Sequence, residues 1–268
     1  MRRTEQPLGI GDVLAALRHM DPAAGVIGGL FDDAFVDGAA DSPVARGYSL
    51  RAQETAALVL RDPDDVALCA FPPALLYACR AAALASVATR ALLPPGSATA
   101  SVCGDAVRVP VMLATLAHCP QHISHIEAWA PEPVPDEVGE QLDEAGIGFT
   151  IAARQQDAVY GANLLVAASD AAQLSRGQLC DEAVLINAGG SVVSRDIARR
   201  VSAVFTDADL GELITGLAPA RPAGLVLMDL LGAEHPDIAL AYRLYRALRP
   251  DTAQESPATS SDSTDAQY

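Results

Sequence analysis

Between residues 98 and 206 short apolar segments alternate with helical stretches that carry a polar face. That alternation constrains the chain more than any other feature, because neighbouring parallel strands must be joined by crossover helices. The apolar segments are Ala98–Cys103, Ile123–Trp129, 148–152, 163–168, 183–188 and Val201–Thr206. Those at 163–168 and 183–188 are near-continuous apolar runs, as strands covered on both faces should be. Residues 110–118 and 135–145 read as two of the crossover helices, with Pro110 tolerated in a first turn. The reading is an α/β fold built on a parallel sheet.

The flanking regions are read the same way. Residues 10–20 have helical apolar spacing with Asp12 in the first turn. Residues 21–49 are rich in Gly, Asp, Ala and Pro and suggest no element. The runs 55–60 and 66–71 surround Arg61-Asp62-Pro63-Asp64-Asp65, a turn composition that predicts an antiparallel hairpin. An alanine-rich helix from Pro73 to about Leu93 passes through Pro94-Pro95-Gly96 into the first parallel strand. Val201–Thr206 reads as the last strand of the unit. Residues 209–217 then form a helix, 224–231 an apolar strand or buried segment, and 235–248 an amphipathic helix opened by His235-Pro236-Asp237. From Pro250 the tail has almost no apolar content and cannot offset ordering entropy, which predicts disorder over 250–268.

Charge and residue usage exclude several chemistries. Eighteen basic residues face thirty-four acidic ones, for a net charge of −16, which argues against a nucleic-acid partner. All eighteen are arginine. The absence of lysine removes a Schiff-base lysine, a P-loop lysine and any lysine acid or base, and arginine stays charged at any workable pH. Cys69, Cys79, Cys103, Cys119 and Cys180 show no CxxC spacing, so free buried thiols in a reducing compartment are expected. The N-terminus lacks the apolar core of a signal peptide. Arg80 and Arg90 interrupt the longest apolar stretch, so no membrane span is expected and a cytoplasmic location is the default.

The chemistry-bearing residues cluster after the strands. The first parallel strand stops on Gly104, followed by Asp105-Ala106-Val107-Arg108-Val109. A glycine there lets the backbone turn beneath a pyrophosphate at a helix N-terminus. A dinucleotide fingerprint would place glycine where Ala106 stands and a small residue where Val109 stands. Asp105 adds an unhelpful negative charge that Arg108 partly compensates; the alternative is a plain strand-to-helix connection. Ser169-Asp170 and the 187–191 segment, with Asn187, Gly189 and Ser191, follow buried strands at the edge where open α/β sheets bind ligands. Ordinary turn and capping chemistry explains them equally well. Arg80, in an almost wholly apolar helix, is either a bidentate clamp for a substrate carboxylate or one half of a structural pair with an acid from the C-terminal block. Asp209, Glu212 and Asp229 read as acid/base groups, partners of Arg80, or ordinary caps. His118, Cys119, His122 and His125 have metal-ligand chemistry, but lie where a crossover helix meets the second strand, opposite the ligand edge; no metal is assigned.

Several of these blocks together resemble the ornithine cyclodeaminase/μ-crystallin family. They are the helix from Pro73 through Arg80 to Arg90, the Val184–Gly190 strand and glycine turn, the Asp209-Leu210-Gly211-Glu212-Leu213 segment, and the stretch from Met228 through Asp237 to Ala241. The resemblance covers roughly residues 55–248. It implies a Rossmann-type nucleotide-binding domain at 83–207 and a smaller α+β substrate/dimerisation domain built from both termini, residues 1–82 and 208–249. It further implies a homodimer that binds NAD or NADP and acts on a small amino- or imino-acid-like molecule, as an oxidoreductase or a deaminating lyase. By the same resemblance Arg80 and Ser191 fall at catalytic positions, and Gly104, Ala106, Arg108, Ser169, Asn187 and Gly189 at cofactor-binding ones.

The departures bear on the activity. The family's substrate-binding lysine has no counterpart, the aspartate of its deaminases falls at Ser191, and the second strand ends in Trp129-Ala130-Pro131 rather than in a ribose-binding acid. Ornithine itself is therefore the poorer substrate. Hydride transfer asks less of side chains, because the cofactor carries the reaction. The rival expectation is a catalytically inactive family member serving as a dimeric binding or partner protein.

Overall fold

The computed structural model describes residues 7–30, 47–52, 57–96, 98–169, 179–190, 193–217, 221–230 and 237–249. Its centre is a seven-stranded parallel sheet. Strands β4 (Ala98–Cys103), β5 (Ile123–Trp129) and β6 (Gly148–Ile151) step outward on one side. Strands β7 (Leu164–Ala167) and β8 (Val184–Asn187) return on the other, and β9 (Val201–Thr206) and β10 (Leu225–Asp229) complete the order β6-β5-β4-β7-β8-β10-β9. The direction of winding reverses between β4 and β7, which opens a crevice at their carboxyl ends. Although β9 was expected to close the unit, β10 joins the same sheet, inserted between β8 and β9, so the sheet continues past residue 207 to Asp229.

Alternation along the strands decides which side each residue buries. Leu164, Val166, Val184, Ile186, Val226 and Met228 enter the main core. Leu165, Ala167, Leu185, Leu225 and Leu227 enter a second core on the opposite face. The second is covered by α6 (Gln155–Val159) and α7 (Arg195–Ala198), which contribute Ala158, Val159 and Ile197. The main core takes α3 (Pro73–Leu92), α4 (Arg108–Leu116) and α5 (Asp136–Glu144) together with helices from both ends of the chain.

Helix α3 is the axis of that core, with residues on every side of it buried. By length and composition it is apolar enough to span a bilayer, contrary to the sequence expectation, but most of it is buried inside the protein. It packs on α4, on α2 (Ala23–Leu30), on α8 (Leu210–Thr215) and on α9 (Asp237–Ala247). Its alanines let these neighbours approach closely. Helix α1 (Ile10–His19) lies on α4 and α9, and its C-terminal carbonyl at Leu17 accepts from His118 Nε2 at 2.7 Å. Asp21 opens α2 by accepting the Ala23 N–H at 3.0 Å and ties it to α3 through Arg90 at 2.7 Å.

A second, antiparallel sheet has the order β1-β2-β3, with β1 at Ser49–Ala52, β2 at Leu58–Arg61 and β3 at Ala67–Phe71. The expected hairpin is its β2–β3 pair. Pro7 bridges to Ala70, and α9 packs on β1 and β2, with the Tyr48 and Tyr242 rings 4.5 Å apart. Residues near both ends of the chain therefore build this region, and Pro7, Leu8, Leu248 and Arg249 line one cavity of about 540 Å³ there. Ser191, Asp170 and the 250–268 tail lie outside the described residues.

Candidate functional site

The carboxyl edge of the large sheet is held together by close backbone approaches. A Cβ on Gly104 would fall 2.9 Å from the Ala168 Cβ and 3.2 Å from its carbonyl carbon. At Gly189 the added carbon would meet Ser169 backbone atoms at 2.3–2.5 Å, and Gly190 takes φ +70°, the left-handed region that favours glycine. Glycine thus lets the exit of β4 close on that of β7, and the exit of β8 on that of β7. Gly104 also donates its N–H to the Trp129 carbonyl at 3.2 Å, tying in β5. Trp129, where a ribose-binding acid was sought, is packed instead against the second core.

The turn after Gly104 is organised around one carboxylate. Asp105 Oδ1 accepts the N–H of Val107 at 3.0 Å and of Arg108 at 2.8 Å, while its backbone carbonyl takes the Val109 N–H at 3.1 Å. These are the N–H groups at the start of α4, where the helix dipole favours negative charge. Arg108 folds back over the edge. Its Nη1 donates to the Ala168 carbonyl at 3.2 Å and to the Gly189 carbonyl at 3.5 Å, and its Nε lies 3.7 Å from Asp105 Oδ2. Ala106 is half-buried in this turn, and Val109 points wholly into the main core rather than over the crevice. Sequence reasoning saw Asp105 only as an unfavourable charge. An acid two and three residues ahead of the N–H groups that open a helix was the signal for its capping role.

Further along the edge, Asn187 and Asp229 end neighbouring strands in register, and Asn187 Nδ2 donates to Asp229 Oδ1 at 2.9 Å. Thr206 donates its N–H and hydroxyl to Asp209 Oδ2 at 2.6 and 3.0 Å, so Asp209 caps the turn into α8. Ser169 is buried at the exit of β7, its backbone close to Gly104 and Gly189. The Asn187–Asp229 pair was missed because strand order is not written in local sequence.

Arg80 takes the structural pairing first. Its Nη1 lies 2.9 Å from Asp237 Oδ2, both side chains being 11 % exposed, and its guanidinium lies 4.8 Å from the centre of the Tyr77 ring. That is its one hydrogen bond among the described residues, so the remaining N–H groups of the fork are not spent on it. Twelve residues separate Arg80 from the end of α3, about 18 Å of helix, against about 20 Å for the six residues of β4. Arg80 thus lies about as far up α3 from its C-terminal end as β4 is long.

The histidine-rich segment is dispersed. His118 binds the Leu17 carbonyl, His122 Nδ1 the Leu93 carbonyl at 2.9 Å and His125 Nε2 the Thr150 hydroxyl at 3.2 Å, while the Cys119 thiol meets the Ser86 hydroxyl at 3.2 Å. No three His, Cys, Asp or Glu side chains among the described residues are grouped to hold a metal. The five cysteines are free, four of them buried. Burial pushes the Cys69 and Cys79 thiols up to about 12 and that of Cys103, at the end of β4, up to about 11. None of these three presents a thiolate near neutral pH.

No family model matches the sequence, and no curated protein matches it. Solved structures do. CmnK has a TM-score of 0.62 at 17 % identity, covering 90 % of this chain and 94 % of that one. The Δ(1)-pyrroline-2-carboxylate reductase of Thermococcus litoralis, in complex with NADH and L-proline, has a TM-score of 0.57 at 13 % identity, covering 91 % and 94 %. A probable ornithine cyclodeaminase from Bordetella pertussis has a TM-score of 0.54 at 22 % identity, covering 72 % of each chain. At such identities the likeness is one of fold: this chain shares with these proteins a Rossmann-type parallel sheet, here joined by a smaller antiparallel sheet.

Of the structures alike in fold, the Thermococcus litoralis reductase holds NADH. At the carboxyl edge of this chain the α4 N–H groups and the Arg108 guanidinium converge on an anion, the Asp105 carboxylate, so the donors there have the chemistry that a phosphate would need.

Proposed function

We propose that this chain is an NAD(P)-dependent oxidoreductase of the ornithine cyclodeaminase-like type, interconverting an imino acid and an amino acid. The observation that carries the reading is the set of anion-binding donors, the Val107 and Arg108 N–H groups with the Arg108 guanidinium, gathered where the sheet's winding reverses. Those groups would hold the pyrophosphate, and Gly104, Ala106, Ser169, Asn187 and Gly189 would line the remainder of the cofactor's path. When bound there, NAD(P)H supplies the hydride.

The chain's own groups account for the rest. The unspent N–H groups of Arg80 hold the substrate carboxylate, while Asp237 fixes the guanidinium in place. Asp229, oriented through Oδ1 by Asn187, presents Oδ2 to the substrate nitrogen, where it would pair with the protonated imine and pass on the proton taken up from solvent as the imine becomes an amine. This gives the edge a carboxylate although Ser191 stands where the family's deaminases carry aspartate. Reduction is favoured over a deaminating lyase reaction, since it requires only orientation and one proton. The solved structures alike over nearly the whole chain include a reductase holding NADH and L-proline, which supports the same reading.

The proposal extends to a homodimer, to a nucleotide-binding unit that begins near residue 83 and, because β10 lies within its sheet, runs on from 207 to 229, flanked by a substrate/dimerisation unit from the two ends of the chain, and to a reducing, cytoplasmic setting suited to free thiols. Titration with NADH and NADPH by fluorescence, followed by assays at 340 nm with cyclic and linear imino acids, tests it. Turnover is expected with at least one of them. In that assay Arg80→Lys, which keeps the charge beside Asp237 but loses the fork, should raise KM about tenfold or more with a smaller change in kcat. Absence of binding by either cofactor at millimolar concentration would leave an inert scaffold, the rival partner-protein reading.

A further inference from the structure

We infer that Asp105 is an internal competitor for the cofactor's phosphates: it holds the phosphate seat in the free protein and weakens dinucleotide binding. The inference rests on the proposed NAD(P) site and concerns how that site is regulated. Three observations meet at this residue. Its Oδ1 takes the N–H groups of both Val107 and Arg108, at 3.0 and 2.8 Å, so the donors that open α4 are already engaged. Its Oδ2 lies 3.7 Å from Arg108 Nε, and the same guanidinium reaches across to the carbonyls of Ala168 and Gly189. The cation best placed to meet a pyrophosphate is therefore also in use.

The turn also cannot retreat to make room. Gly104 is closed onto Ala168 with no space for even a Cβ, and Val109, the second residue of α4, is buried in the main core. An arriving pyrophosphate must displace the Asp105 side chain by rotation about its own bonds. Displacement leaves a carboxylate beside two phosphates, and like charges at that range repel. The side chain is free to make that rotation, since it is 43 % exposed and not built into the core. Asp105 thus acts as a latch: it caps α4 when the site is empty and yields only when the cofactor offers enough from the rest of its length.

Two substitutions separate this role from a merely structural cap. Asp105→Asn keeps an acceptor for the N–H groups and removes the charge; Asp105→Ala removes both. The measurements are the Kd for NADH and for NADPH by fluorescence titration, and the melting temperature of each protein without cofactor. The expected result is opposite trends. Affinity should rise from wild type to Asn to Ala, by tenfold or more at Ala, while the cofactor-free Ala variant melts below wild type because α4 has lost its cap. A structural cap alone would lower stability and affinity together. Equal or weaker binding by both variants, with wild type binding, overturns the latch and leaves the proposed function standing. No binding by wild type with clear binding by Ala supports the latch. No binding by any of the three proteins, each shown to be folded by its melting transition, overturns the latch and the cofactor reading together.

Discussion

Glycine and arginine do most of the specific work at the carboxyl edge. Gly189 has no room for a side-chain atom against the Ser169 backbone, and backbone cannot yield as a flexible side chain does. Gly189→Ala should therefore cost roughly 3 kcal/mol or more of stability, read as a lower denaturant midpoint in urea. Gly146→Ala is the control, since nothing lies within 4 Å there and only the φ of +73° is strained; its cost should be about 1 kcal/mol. At this scale the sequence was partly legible. It placed Gly104, Asn187 and Gly189 at the exits of parallel strands, which is where they stand. It left open whether Arg80 served a ligand or an acid of the C-terminal block, because no local pattern shows that Asp237 returns to it from 157 residues away.

Most elements of the sheet were legible because each carries its own period. Ala98–Cys103, Ile123–Trp129 and Val201–Thr206 form with the bounds their apolar runs suggest. Helix α2 was not legible: Ala23–Leu30 contains three glycines and no polar face, and only Asp21-Pro22 ahead of it marked a helix start. The place of β10 was also hidden, since pairing order depends on contacts distant in sequence. Three of the five cysteines sit on better-read elements, β3, α3 and β4, and they set a pH limit. Cys69, Cys79 and Cys103 have their pKa values raised in the folded state, to about 12, about 12 and about 11, by burial. Their protonated forms are thus favoured by folding, and the benefit is complete below the unfolded thiol pKa. Above it the unfolded chain releases these protons and the folded one does not, so stability should fall steadily from about pH 9 towards 12. Urea titrations between pH 7 and 11 check the slope. Replacing Cys79 with Ala should flatten it even if it lowers stability at neutral pH.

For the molecule as a whole, α3 carries the main core while the first and last described residues lie beside the small sheet. Pro7 and Arg249 border the same cavity of about 540 Å³. Arg249 joined to Pro7 by about six Gly/Ser residues, with an r.m.s. span of about 13 Å, and the chain opened at the exposed Gly146, gives a circular permutant. Its circular dichroism spectrum and cooperative melt should match those of the parent. Because Gly146 lies between α5 and β6, at the opposite end of the strands from the crevice, the rearranged protein should also keep the parent's coenzyme affinity.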